Sequence, residues 1–515
     1  TAEGGLIVKF NQGKDLNFYG KFTLASNPGD PNVFTSYRDD SVGGDSNSTP
    51  APDPAPAKGD WLGLYLFNHQ NAPFAYSTIQ YSDQGLVIYQ KASDPDPGNI
   101  NYEISYNTFH DNKNGLTFYI ASDYDITSRV ADNNFYSNDY GIHTFTLSST
   151  PHCGTSNPTL DSNNFSLHSQ FPLYLQGSAN PTYDDNLFWD NTHPAIAVGG
   201  IWGRDATWAK VYDNTFDQEM PYVVKDTLTQ EICTIPEPAI TMPEGLIVRF
   251  MGGSYIYAFG YLNLLSSPGN EIVFTAYSDD TFGGDIDANG PPSSPISRSA
   301  WKTVWLIDYP GKNNTIHDLK VYYSTAGIGL YYDGPENTQT ATVIERVEFA
   351  NSNSGIASVI GWRQVGSVIY GGLGNINATI RNNVFRDSDY GILTIAHDKS
   401  IGINNPSIED VTFTNIAKYP IFLGGTSEPT FIGLNTITGS NERLGPLAVD
   451  QPLSQIEAAE GDNLILDGFD LPGNQAALAV IQPGRAGLLS AQVPQSSLSA
   501  VPNLSPAIGM AGAWN

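Results

Sequence analysis

The pattern that most limits what this chain can become is a short repeat. Asn107-x-Phe109 is followed by Asn112 and Gly115-Leu116, Asn133-x-Phe135 by Asn138 and Gly141-Ile142, and Asn186-x-Phe188 by Asn191 and Pro194-Ala195. Looser copies sit at Asn163-x-Phe165, Asn214-x-Phe216, Asn383-x-Phe385 and Val411-x-Phe413. The starts at 107, 133, 163, 186 and 214 lie 26, 30, 23 and 28 residues apart. Short alternating runs such as Leu86-Val87-Ile88-Tyr89 and Leu173-Tyr174-Leu175 have the length of strands, and almost nothing has helical periodicity. A unit of this size cannot bury its own apolar face and must stack on copies of itself, which describes a solenoid. Asn at a recurrent turn position suits the left-handed backbone region, and its amide can hydrogen-bond from coil to coil. The expected fold is all-β, a right-handed parallel β-helix. A sandwich or propeller is the alternative for short regular strands, but a propeller blade is longer and has no need of an Asn-x-aromatic at each turn.

A second, longer repeat encloses the first. VFTSYRDDSVGGD at Val33–Asp45 returns as VFTAYSDDTFGGD at Val273–Asp285, 240 residues later. Gly5-Leu6-Ile7-Val8-Lys9-Phe10 returns as Gly245-Leu246-Ile247-Val248-Arg249-Phe250, and Trp61 as Trp301, at the same spacing. By Asp139-Tyr140-Gly141 and Asp389-Tyr390-Gly391 the spacing has grown to 250. This is a tandem duplication with loop insertions, so the expected organisation is two solenoid halves, 1–240 and 241–471, and a tail, 472–515. The tail carries Ala476-Ala477-Leu478-Ala479-Val480-Ile481, Leu488-Leu489 and Trp514, with Arg485 its only formally charged side chain. A disordered tail is normally polar, so this one is expected to pack, either against its own chain or on a neighbouring subunit. Two Pro-rich stretches, Ser46–Lys58 and Asp287–Ser299, follow the repeated acidic motif and read as extended surface loops.

Acidic residues outnumber basic ones 53 to 24, for a formal net charge of −29. Such a field repels nucleic acid and favours cations. No apolar run approaches the roughly 20 residues of a membrane span. The start at Thr1-Ala2-Glu3 is expected to be processed or excised from a longer chain. The two cysteines, Cys153 and Cys233, allow one disulfide, but sequence alone cannot bring them within reach.

Several phrases carry a family likeness: MPYVV at 220–224, EGLIVRF at 244–250, the VFT…DD…GGD stretch with Gly59-Asp60-Trp61 after it, and SPAIGMAG at 505–512. Together they resemble bacterial exported proteins of the pectin-lyase-like, right-handed parallel β-helix class. The resemblance implies the fold and an extracellular or cell-surface setting. It leaves function open, because that fold serves lyases, hydrolases, adhesins and passive surface repeats alike.

Two sets of oxygen-rich side chains stand out, Asp39, Asp40, Asp45 and Asn47, and their counterparts Asp279, Asp280, Asp285 and Asp287. Closely spaced Asp and Asn with Gly for sharp turns is a common way to supply the six to eight oxygens that Ca2+ requires. The alternative is a solvated acidic turn at a strand end. Lyases of the resembled class imply Ca2+ with an Arg or Lys base, and hydrolases imply paired carboxylates. Asp123 and Asp125 near Arg129, Asp184-Asp185, and Asp387 with Asp389 are the candidates, but none forms a recognisable catalytic motif, and Asp139 and Asp389 read as turn residues. His143, His152, His168 and His193 fall in different coils and read as packed or solvated. Exposed aromatics could line a sugar-binding face, though a solenoid more often stacks them. The sequence thus predicts an extracellular structural protein, a Ca2+-stiffened rod that assembles with copies of itself through its chain ends and the 472–515 tail into a fibre, sheath or layer. A polysaccharide lyase or hydrolase, or an adhesin for cell-surface glycan, is the alternative.

Overall fold

The computed structural model describes residues 3–439, apart from 21–22, 49–53, 68–72, 92–97, 147–152, 231–232, 234–236, 291–293, 309–310, 333–338, 361–362, 366–367, 371–373, 397–401, 426 and 428. The expected tail at 472–515, together with His152 and the middle of both Pro-rich stretches, lies outside the described residues. Among the described residues there is no helix, and the strands are short. Packing divides the chain into two compact units, one of Thr1–Trp301 with Ile316–Tyr323 and one of Lys302–Thr315 with Ser324–Asn515.

The first unit is built on long parallel ladders. One runs through Ile7–Phe10, Asn32–Ser36, Ser77–Gln80, Thr108–His110, Asn134–Tyr136, Asn164–Ser166 and Leu187–Trp189. A second runs through Asp15–Phe18, Trp61–Leu66, Ser82–Lys91, Asn114–Ala121, Tyr140–Thr146, Leu173–Gln176, Ile196–Trp202 and Tyr222–Gln230. A third joins Phe74–Ala75, Glu103–Ser105, Arg129–Ala131, Thr159–Asp161 and Thr182–Asp184. Successive coils add parallel strands to these ladders, as expected of a β-solenoid. The second unit repeats the arrangement, with Val304–Asp308, Ala326–Tyr332, Ser354–Ile360, Tyr390–Ala396 and Tyr419–Gly425 in one ladder.

The short repeat is the core of this stacking. Phe109, Phe135, Phe165 and Phe188 are fully buried in register, with ring centroids 4.8, 4.9 and 4.9 Å apart and nearly parallel planes. Phe349, Phe385 and Phe413 form a like stack in the second unit, at 4.9 and 5.1 Å. The asparagines form ladders beside them. Asn133 Oδ1 accepts from both N and Nδ2 of Asn107, Asn163 Oδ1 from both of Asn133, and Asn186 Oδ1 from both of Asn163, at 2.9–3.1 Å. Each Nδ2 also donates to a backbone carbonyl one coil back: Phe74, Ile104, Val130 and Leu160.

The left-handed backbone, however, falls one residue earlier than the sequence suggested. Tyr106, Asp132, Ser162 and Asp185 have φ of 57°, 54°, 54° and 48°, and each precedes a ladder asparagine. The asparagine itself is turned inward, where both ends of its amide are used. It is selected for that double hydrogen bonding, and the corner strain is carried by whichever residue comes before it.

Cys153 and Cys233 are joined in a disulfide with Cα atoms 5.4 Å apart, a normal span for such a bond. Asn133→Ala should cost about 2–4 kcal/mol in urea unfolding, because it strands the buried N–H groups of Asn107. Ser137→Gly, at a φ of 55° on the neighbouring corner, should stay within about 1 kcal/mol of the parent. Equal losses would refute the assignment of roles at the corner.

Candidate functional site

Each acidic motif begins at the end of a buried strand, Asn32–Ser36 or Ile272–Ala276. In both, the first carboxylate of the adjacent pair turns inward. Asp39 is buried; its Oδ2 accepts from Thr35 Oγ1 at 2.6 Å and from Gln80 Nε2, and its Oδ1 from the backbone N of Ser41 at 3.0 Å. Burial alone would push this carboxyl up, but the bonds from Ser41, Thr35 and Gln80 together hold it below its ordinary value. Asp279 repeats the arrangement with Thr275 on Oδ2 and with Thr281 Oγ1 at 2.6 Å on Oδ1. Beneath each loop an indole stacks on a phenylalanine, Trp61 on Phe10 at 4.2 Å and Trp301 on Phe250 at 4.0 Å. Asp39 and Asp279 therefore have their oxygens committed to bracing the turn.

The outward carboxylates behave differently in the two loops. In the second, one ligand atom from each of Asp280, Asp285 and Asp287 lies within 4.8 Å of the others, a group that could hold a metal ion. No other set of three or more His, Cys, Asp and Glu among the described residues comes together in this way. Burial, and next the nearby Asp285 charge, push the Asp280 carboxyl above its ordinary value; burial, and then the hydrogen bond with Asp285, do the same for Asp287. Asp285 accepts from the backbone N of Gly290 at 3.0 Å. In the first loop Asp40 and Asp45 are exposed and Asn47 is half-buried; Asp45 Oδ1 accepts from the backbone N of Ser48 at 2.7 Å.

The difference lies under the loop. Arg249 is fully buried, and its guanidinium donates to the carbonyls of Tyr277 (2.9 Å), Phe282 (3.0 Å) and Gly284. Its Nη1 also stands 3.9 Å from Asp280 Oδ1. Burial lowers the Arg249 pKa, and the charges of Asp279, Asp280 and Asp287 oppose that shift. Ile286, between two of the clustered carboxylates, is fully buried among Phe171, Tyr174, Ala195, Ala197 and Val223. His193 Nδ1 donates to the Ile286 carbonyl at 2.8 Å, and Gln218 Nε2 to that of Gly283 at 3.1 Å. In the first loop Lys9 stands where Arg249 does and makes one bond, to the Gly44 carbonyl, while an exposed serine, Ser46, stands where Ile286 does. The sequence reading missed Arg249, Ile286 and His193. The available signal was the change of Lys9 to Arg249 and of Ser46 to Ile286 between otherwise matching stretches.

The donor set fits a hard cation in part. Three carboxylates offer up to six oxygens, and Asp280 Oδ1 is buried without a hydrogen-bond partner. The loop carbonyls of Phe282 and Gly284 are already taken by Arg249. Beside the group lies an open cleft of about 530 Å³ lined by Asp279, Asp280, Thr281, Ser294, Pro295, Ile296 and Tyr323.

Asp123, Asp125, Asp387 and Asp389, also considered for catalysis, are engaged between coils. Asp123 accepts from the backbone N of Cys153, Asp125 from N and Oγ1 of Thr155, and Arg129 bridges Glu103 and Asp161. Asp185 and Asp387 occupy left-handed corners, and Asp389 pairs with Lys418 at 3.3 Å. Among the histidines, His143 stacks on Tyr174 at 4.8 Å, and burial pushes it down to about 4. Arg249→Met should cost about 3–5 kcal/mol in urea unfolding, as expected when a buried charge partner is lost, and Lys9→Met less than about 1 kcal/mol; similar losses would refute the asymmetry of the two loops. No family model matches this chain, and no curated protein matches it at a significant level.

Proposed function

We propose that this chain is an extracellular structural protein, a right-handed parallel β-helix rod whose second acidic loop is stiffened by a divalent cation, with Ca2+ favoured by the all-oxygen donors. The observation that carries this reading is the inward commitment of Asp39 and Asp279. The duplicated motif that the sequence offers as chemistry uses its most buried carboxylate to brace a turn, twice and in the same way. The stacked phenylalanine and asparagine ladders support the same reading, since they make each coil depend on its neighbours. The disulfide supports a setting outside the cytosol. Assembly with further copies, through the chain ends and the 472–515 tail, rests on the sequence alone.

Aromatic rings do line up along one ladder. Phe67, Tyr89, Tyr119 and Phe145 follow one another at 4.8, 4.4 and 5.0 Å. Tyr89 and Tyr119 are nearly parallel in their stack, so their faces are turned toward each other and their edges outward. Sugar rings stack on faces, and this geometry does not favour the glycan-binding alternative.

Ca2+ at about 100 times its Kd should stabilise the protein by about 2.7 kcal/mol over chelator-treated material, read as a rise in melting temperature. Asp285→Asn should abolish that rise, whereas Asp45→Asn in the first loop should leave it intact. The absence of any shift in the parent protein would remove the cation from the proposal. Negative-stain images and light scattering of the native chain should show filaments; monomers at every calcium concentration would overturn the assembly. Release of reducing or unsaturated ends from acidic or neutral polysaccharides would overturn the structural reading itself.

A further inference from the structure

We propose that His168 is an acid-sensitive latch in the second asparagine column of the first unit, and that protonation of its imidazole unlocks the turns between Asn138 and Asn191. This column runs beside the one described above. Asn112 donates from N and Nδ2 to Asn138 Oδ1 at 2.9 and 3.0 Å, and Asn112, Asn138 and Asn191 each donate from Nδ2 to a carbonyl of the coil before, those of Ile79, Phe109 and Phe165. Between Asn138 and Asn191 the position is His168, directly after a left-handed corner at Leu167, whose φ is 56°.

His168 is 0% exposed. Its backbone N keeps the ladder bond to Asn191 Oδ1 at 3.2 Å, but an imidazole has no oxygen to offer the coil before. Its Nδ1 lies 3.4 Å from the carbonyl of Asn138 and donates to it, which leaves Nε2 as a bare lone pair. Nε2 is buried and has no hydrogen-bond partner among the described residues. It faces Gly141, where even an added Cβ would come within 2.9 Å, and the ring of Phe165 lies 6.4 Å from the imidazole. A proton on Nε2 would place a charge and an unmatched donor in this fully buried corner, a costly arrangement.

Two charged groups act on the ring, Lys58 against protonation and Asp139 in favour of it. They pair with each other at 2.9 Å, and Asp139 also accepts from Ser169 Oγ, so their effects largely offset. Burial governs and pushes His168 down to about 3. A histidine held below its ordinary value of 6.5 contributes stability that is complete above that value and is lost as pH falls toward the folded one, because the opened state takes the proton more readily. His143, held down to about 4, adds to the same trend, so the test must separate the two.

The test is hydrogen exchange on the full chain, corrected for the intrinsic pH dependence of amide exchange. Between about pH 7 and about pH 4.5, protection at amides 138–142 and 168–173 should fall at least about tenfold, while the strands around Phe349, Phe385 and Phe413 keep theirs. His168→Asn, which continues the ladder, should retain protection at the lower pH, and His143→Asn should not. An equal loss in the parent and in His168→Asn, or a uniform loss over both units, would overturn the latch. If His168→Asn does not fold, the imidazole resonances of the parent decide: the folded His168 ring must stay neutral down to about pH 4.5 while those amides lose protection, and a ring that takes up its proton near its ordinary value with protection unchanged overturns the proposal.

Discussion

A chain that turns a corner in every coil leaves backbone donors and acceptors that no strand can reach, and buried backbone groups must be paired. In the first unit that demand is met by side-chain amides. Asn133, Asn163 and Asn186 each accept two N–H groups from the coil before and return an N–H to a carbonyl of that coil. The phenylalanine stack can be apolar throughout because the amide columns beside it carry the polar requirement of the corners. Parallel register follows from the same bonds, since a slipped coil would misplace every amide at once.

The acidic loops show how a duplicated motif divides its work. The inner carboxylate is braced in both copies by a threonine four residues before it and a hydroxyl residue two after it, and in the first copy by Gln80 as well. The outer carboxylates depend on what lies beneath them. In the second copy a fully buried arginine draws three loop carbonyls inward and an isoleucine seats the loop on the face of the sheet. That anchoring holds Asp280, Asp285 and Asp287 together against their mutual repulsion. Of the two loops, only the one above the buried arginine brings its outward carboxylates together, into a group that could hold a metal ion.

How much of this was legible varies with the range of the interactions. The Phe109, Phe135, Phe165 and Phe188 column was readable because one residue type returns at one place in each coil. The amide ladder was readable for the same reason. The left-handed corners were not, because Tyr106, Asp132, Ser162 and Leu167 share no chemistry, only a position imposed by the turn. The adjacent aspartates looked alike in sequence, and only the end of the strand decides which faces in. The clasp formed by Arg249, Ile286 and His193 depends on contacts that span 33, 63 and 93 residues, beyond any local pattern. The partnership of the two cysteines was equally out of reach, and the apolar tail lies outside the described residues.

The disulfide sets a mechanical limit on the first unit. Cys153 and Cys233 are 80 residues apart in the chain and joined covalently. If tension were applied from outside that segment, force would pass through the sulfur bridge and bypass the coils between. The enclosed residues, about 270 Å of fully extended chain, could not be drawn out while the bond is intact. Within those coils lies His168, so a loop opened by acid would remain tethered at both ends and ready to close again.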